Sequence, residues 1–298
     1  MQQSEFKMGV IYALIAYSLW GIAPLYFKLI QHISAPEILM HRVIWSFLFL
    51  LMLVAISRQF REVAQLFKLP KQLLVLALTS LLIAANWLIF IWAVNNNMLL
   101  EASLGYFINP LFNVVLGMVF LNERLPRLQL IAVAIAALGV LIQLVVFGSI
   151  PWLSLALATT FGLYGLLKKK IKLKAVTGLF METAILLPAA VYYWWQLESD
   201  TVSFTQNAMN LNVTLICAGI VTTLPLLAFS AAAVRIPYYM LGLFQYIGPS
   251  VMFILAVTLF SQILDQTKLT TFGFIWGALI IFVFDVWRQS TIKKRLAK

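Results

Sequence analysis

The chain has 298 residues, of which 63% are hydrophobic and only 10% charged, and its mean hydropathy is +0.97. A water-soluble domain needs a surface that is roughly a quarter charged, so this composition excludes one and points to an all-α polytopic membrane protein. Cys217 is the single cysteine, and His32 and His41 are the two histidines. That set allows no internal disulfide and is a poor donor set for zinc or haem, so neither a metal nor a cofactor is expected.

At about 20 apolar residues per crossing, ten spans fit. The first half holds them at residues 8–30, 36–57, 72–94, 102–121 and 128–147, and the second at 151–167, 175–195, 213–234, 239–260 and 271–287. The first run lacks a small-residue cleavage site and reads as a retained span, not a secretory signal. Orientation follows from Lys and Arg, which resist translocation and mark cytoplasmic loops. With the N-terminus inside, the cytoplasmic segments hold Lys7; Arg58, Arg61, Lys68 and Lys71; Arg124 and Arg127; Lys168, Lys169, Lys170, Lys172 and Lys174; Arg235; and Arg288, Lys293, Lys294, Arg295 and Lys298. These are 18 of the 21 basic residues, and Lys268 alone falls in an outside loop. Both termini are expected in the cytoplasm, and the net charge of +11 is topological, not a nucleic-acid footprint. The longest outside loop, 196–212, carries Glu198 and Asp200 but no basic residue, and Trp194 and Trp195 before it suit an interfacial aromatic belt.

The halves superimpose. An offset of 139 residues lays Leu104 on Leu243, Ile108 on Ile247 and Pro110 on Pro249. Offsets near 144 and 138 lay Leu19, Trp20 and Gly21 on Leu163, Tyr164 and Gly165, and Gly139 on Gly277. Five spans per half is an odd number, so the second half enters from the opposite side. The expectation is two inverted five-helix repeats, residues 1–147 (helices 1–5) and 148–298 (helices 6–10). Inverted repeats around interrupted helices are the architecture of secondary transporters, with a small-molecule substrate bound near the midplane.

Pro110 and Pro249 are the expected helix breaks, because each lacks an amide proton and clashes with the carbonyl four residues back, at Tyr106 and Gln245. On the fourth span Ser103, Tyr106, Asn109 and Asn113 share a face; on the ninth, Gly242, Gln245 and Pro249 do, with Tyr246 on the flank. The first span presents Tyr17, Trp20, Pro24 and Lys28, and the third Asn86, Trp87, Trp92 and Asn95. Interhelical hydrogen bonding or packing kinks would use the same residue types; the duplication favours a cavity. The candidate substrate pathway is Tyr17, Trp20, Arg42, Asn86, Trp87, Tyr106, Asn109, Asn113, Tyr164, Gln245 and Tyr246.

Ionisable groups inside spans are functional candidates. Arg42 stays charged and must find an anion, carbonyls or water, with Glu37, Glu101 or a substrate carboxylate as possible partners. Glu182 sits about 10 Å deep in the seventh span at 1.5 Å per residue. It either takes up a proton, as coupled transport requires, or pairs with a lysine of the adjacent cytoplasmic segment. His41 is the second proton-coupling candidate.

Several stretches resemble the RarD branch of the EamA-type drug/metabolite transporters. They are WGIAPLYFK at 20–28, EILMHRVIWS at 37–46, NWLIFIWAVNN at 86–96, LEASLGYFINPL at 100–111, FGLYG at 161–165 and LFQYIGP at 243–249. The resemblance covers essentially the whole chain and departs at Asn97 and Met98, where relatives often carry Gly-His. It implies a bacterial inner-membrane permease of two EamA repeats working by alternating access. Its cavity would be lined by helices one, three, four, six, eight and nine. An intramembrane enzyme is not expected, for the chain has no Gly-x-Ser-x-Gly elbow, His-Glu-x-x-His pair or phosphate-binding glycine loop. A sensor or scaffold is the alternative, though the loops are short for one. Gly273 and Gly277 form a Gly-x-x-x-Gly pair that serves packing within a monomer or a homodimer contact.

Overall fold

A computed structural model describes residues 2–30, 32–96, 98–197, 200–258 and 266–296. Asn97 and Glu198, and the side chains of Asn95, Glu101, Ser103, Asp200, Lys268 and residues 289–298, lie outside the described residues. The described chain is all helical. Its helices are α1 Gln2–Leu29, α2 Ala35–Ile56, α3 Phe60–Leu66, α4 Pro70–Asn95, α5 Leu99–Leu121, α6 Arg127–Phe147, α7 Trp152–Ile171, α8 Ala175–Gln196, α9 Met209–Ala233, α10 Tyr238–Phe244, α11 Ile247–Thr258 and α12 Gln266–Leu296.

Local chemistry sets the boundaries. Pro126, Pro151 and Pro237 occupy N-cap positions of α6, α7 and α10, where a missing amide proton and a preset φ do no harm. Gly148 closes α6 with φ 74, a left-handed conformation that only glycine takes without steric cost.

Nine segments among the described residues are long and apolar enough to cross a membrane, with α10 and α11 forming one of them. The expected sixth span, α7, falls outside that set because Lys168, Lys169 and Lys170 fill its last turn. Two other differences concern the proline helices. The ninth span does break, at Gln245 and Tyr246, just ahead of Pro249. There the Gln245 carbonyl, which an amide at 249 would have bonded, accepts from Gly248 N–H at 3.1 Å. The fourth span does not: α5 runs unbroken through Pro110, which therefore marks no interruption. The short helix α3 was not foreseen.

The helices pair mainly across the two halves: α6 with α12, α5 with α7 and α10, α1 with α9 and α11, α2 with α8 and α9, and α4 with α7 and α8. Glycines permit the closest approaches. A Cβ on Gly219 of α9 would collide with the backbone of Trp45 on α2, and one on Gly242 would stand 2.8 Å from the Pro110 carbonyl oxygen. A Cβ on Gly273 or Gly277 would meet nothing within 4 Å among the described residues, so among those residues this pair does not serve tight packing inside the monomer. The outer faces carry Ile11, Leu14, Leu81, Val119, Leu138 and Ile280, all exposed. Water would penalise such a surface, and lipid does not.

Candidate functional site

A cavity of about 230 Å³ opens between the two halves. Its walls come from the half of each helix nearest the 30–34 and 96–98 connections. They are Tyr17, Trp20, Pro24 and Phe27 of α1, Ile38 and Arg42 of α2, Asn86, Trp87 and Phe90 of α4, Tyr106 and Asn109 of α5, Leu157 and Phe161 of α7, and Gln245, Gly248 and Pro249 at the break between α10 and α11. The resemblance implied a wall from the eighth span. Instead the second span lines the cavity, and α9 stands behind it through Thr222 and Phe229.

Arg42 is the cation of this wall, 7% exposed. Its guanidinium carbon sits 4.1 Å from the Trp87 ring centroid and 5.3 Å from that of Phe27, where a weakly hydrated planar cation is attracted to the ring faces. Its Nε donates to Thr222 Oγ1 at 2.9 Å. The described ion pairs do not include Arg42. Glu37, one of the partners foreseen, accepts from the hydroxyls of Ser34 and Thr201. Tyr17 adds a fully buried hydroxyl with no hydrogen-bond partner among the described residues.

A polar ladder continues below the cavity. Asn109 Nδ2 donates to the Ala158 carbonyl at 2.9 Å, tying α5 to α7. Asn113 Nδ2 donates to both Asn109 Oδ1 and Gln245 Oε1, each at 2.9 Å. The Tyr238 hydroxyl lies 2.9 Å from Asn113 Oδ1 and donates to the Gly162 carbonyl at 2.6 Å. Asn86 Nδ2 donates to Leu157 O and Thr160 Oγ1. In an apolar interior such groups are favoured when they are satisfied, and here they join the third, fourth, sixth and ninth spans.

Beside the ladder lies an aromatic plug. Trp20 meets Phe161 edge-on at 5.6 Å, both pack on Phe229, and Tyr164 stacks on Phe229 at 6.1 Å. Behind it, Glu182 accepts from Thr79 Oγ1 at 2.6 Å and Tyr164 at 3.3 Å and forms an ion pair with Lys168 at 3.0 Å. Of the two fates foreseen for Glu182, the structure shows the lysine pairing. Lys168 is 5% exposed, so it is a buried partner and not a loop anchor.

The end of the bundle that carries most of the lysines and arginines is closed. Asn122 takes φ 52 at the end of α5, and the Glu123 carboxylate after it accepts from the amides of Tyr238 and Tyr239 at 2.8 and 3.0 Å. This caps α10 with a negative charge. Lys169 stands 3.6 Å from Glu123 and donates to the carbonyls of Ala233 and Ile236 at the end of α9. Burial holds its ammonium below the usual lysine range, and Glu123 opposes that shift.

Of the residues singled out in the sequence, Tyr17, Trp20, Arg42, Asn86, Trp87, Tyr106, Asn109, Gln245 and Pro249 line one cavity. Asn113, Tyr164 and Tyr246 are fully buried behind it, with Tyr246 donating to the Phe107 carbonyl. Trp92 points outward. His41 does not line the cavity. Its Nδ1 accepts from Trp45 Nε1, and its ring sits against Trp194 and Phe204. Sequence reasoning missed Thr222, Tyr238 and Glu123, and foresaw a lysine partner for Glu182 without singling out Lys168. The adjacent threonines 222 and 223 in mid-span were the visible signal for the first.

An apolar helical bundle around an aromatic, arginine-bearing cavity fits a membrane transporter, and comparison with known proteins supplies the family. Residues 7–145 match the family described as EamA-like transporter family. The chain is 54% identical to Protein RarD of Salmonella typhimurium, over 96% of this chain and 97% of that one. It is 42% identical to the Uncharacterized transporter YojE of Bacillus subtilis, over 98% and 99%. It is 32% identical to the Chloramphenicol-sensitive protein RarD of Pseudomonas aeruginosa, over 93% and 94%. A solved crystal structure with 15% identity shares the fold, with a TM-score of 0.67 over 93% of this chain and 96% of that one. The chain belongs to the RarD branch of the EamA-like transporters and is a multi-pass membrane transporter.

Proposed function

We propose that this protein moves a small molecule across the bacterial inner membrane by alternating access between two inverted five-helix repeats, 1–147 and 148–298, as a ten-span permease with both termini cytoplasmic. One observation carries the reading: the cavity is walled by both halves and reaches toward one side, while Glu123, Lys169 and the start of α10 close the other. The basic residues put the closed side in the cytoplasm, so this is an outward-facing state. The helix pairing supports two repeats, since exchanging the first five spans for the last five maps α1 with α9 onto α4 with α7, and α5 with α7 onto α1 with α11. If transport is proton-coupled, Glu182 is the better placed group: Tyr164 links it to the plug beneath the cavity, whereas aromatic rings wall off His41.

The test compares cell-associated and medium metabolites between cells lacking the protein and cells overproducing it, with Arg42→Met and Asn109→Leu as controls. The expected result is a compound that shifts between the pools with dose, and not in the variants. No dose-dependent shift in several media would refute the reading in favour of a sensor or scaffold.

A further inference from the structure

We propose that the cavity is built for an organic anion, a compact molecule with a flat aromatic body and one carboxylate. The proposal rests on reading the cavity as the substrate site, and it comes from what the walls offer and lack. Among the described residues Arg42 commits only its Nε, to Thr222. Its two terminal nitrogens hold four further N–H groups in a fork that matches a carboxylate, and among the described residues no carboxylate takes them. The Tyr17 hydroxyl is buried with no partner among the described residues. Gln245 presents its amide N–H groups because its Oε1 already accepts from Asn113.

The acceptor side is neutral. Asn109 Oδ1 accepts from Asn113, Asn86 Oδ1 remains as an uncharged acceptor while its Nδ2 is committed to Leu157 and Thr160, and among the described residues no Asp or Glu lines the cavity. The described walls therefore present a cation, several donors and only neutral acceptors, with no counter-charge for an ammonium, which disfavours cations and zwitterions against a monoanion. Trp20, Phe27, Trp87, Phe90, Tyr106 and Phe161 supply flat apolar walls. The volume of about 230 Å³ lies just below the roughly 300–1,000 Å³ of drug-sized sites, so the body is small.

The test titrates the purified protein in lipid nanodiscs with benzoate, phenylacetate and 3-phenylpropionate and with their primary amides, read by isothermal calorimetry. At least one acid is expected to bind about tenfold or more tightly than its amide, as for a charge-assisted hydrogen bond replacing a neutral one. Arg42→Met is expected to bring the acid to the level of the amide while leaving the amide within about threefold. Should Arg42→Met fail to fold, the comparison of acid with amide on the unmodified protein still decides. Equal binding of acid and amide would overturn the anion preference and leave the cavity standing as the site. Binding of neither series would overturn the proposal, and the metabolite comparison would then judge the site separately. A Glu101→Gln variant that bound the acid about tenfold or more tightly would also overturn it, because that carboxylate would be holding the guanidinium in the unmodified protein.

Discussion

Lys168→Met removes the cation that neutralises Glu182 in the interior of the bundle. The pair is 3.0 Å apart, with the two side chains 5% and 2% exposed. Breaking such a pair from one side strands a buried charge and costs about 3–5 kcal/mol. The hydroxyls of Thr79 and Tyr164 remain on the carboxylate, which puts the loss at the lower end, about 3 kcal/mol. With an unfolding entropy of about 2.1 cal/mol/K per residue, that loss lowers Tm by about 5 °C for a chain of this length. The assay is thermal unfolding in nanodiscs, followed by tryptophan fluorescence. Glu182→Gln alone is expected to destabilise similarly by stranding Lys168, and the double variant to recover to within about 1 kcal/mol, because the glutamine oxygen accepts from one hydroxyl, its amide donates to the oxygen of the other, and no charge is left. Recovery with normal gradient-dependent transport makes the pair structural; recovery with transport that no longer follows the pH gradient makes Glu182 the coupling group. A Lys168→Met protein within about 2 °C of the unmodified one, or a double variant as unstable as the sum of the singles, would refute the argument.

Four further outcomes follow from the same geometry. Gln245→Leu removes one of the two acceptors of Asn113 and a donor to the cavity; transport is expected to fall to background with a stability loss of about 1–3 kcal/mol, and near-normal transport would remove Gln245 from the site. Glu123→Ala deletes the carboxylate that caps α10 and pairs with Lys169, at a cost of about 1–2 kcal/mol. It is also expected to raise labelling of a cysteine placed at position 158 from the cytoplasmic side, and unchanged labelling would show that Glu123 does not hold that side shut. Gly219→Ala forces α2 and α9 apart and is expected to cost about 1–3 kcal/mol, measured as a drop in Tm. Gly273→Ala and Gly277→Ala, on open faces, are expected to leave Tm unchanged or higher, since alanine favours a helix by about 0.5–1 kcal/mol over glycine; a fall would mean that another surface packs there.

The sequence by itself determined the class of protein and the course of the chain. Apolar runs of membrane length are one-dimensional signals, so most spans are legible without packing, and the one-sided distribution of Lys and Arg predicts an orientation in the same way. The polar stripe at i, i+3 and i+4 marked Tyr106 and Asn109, and the duplicated proline marked the ninth-span break, because helical periodicity projects directly onto a face. Tertiary structure decided the rest. Proline chemistry is the same at 110 and 249, yet only the second lies at a break, so neighbouring helices and not the residue chose which helix yields. Lys168 read as one more anchor in a basic run; α8 made it a buried partner by placing Glu182 3.0 Å away. Whether Asn113 faces a ligand or other side chains also could not be read along one helix. Its partners, Gln245 and Tyr238, lie more than 120 residues further along the chain, and only the folded bundle brings them together.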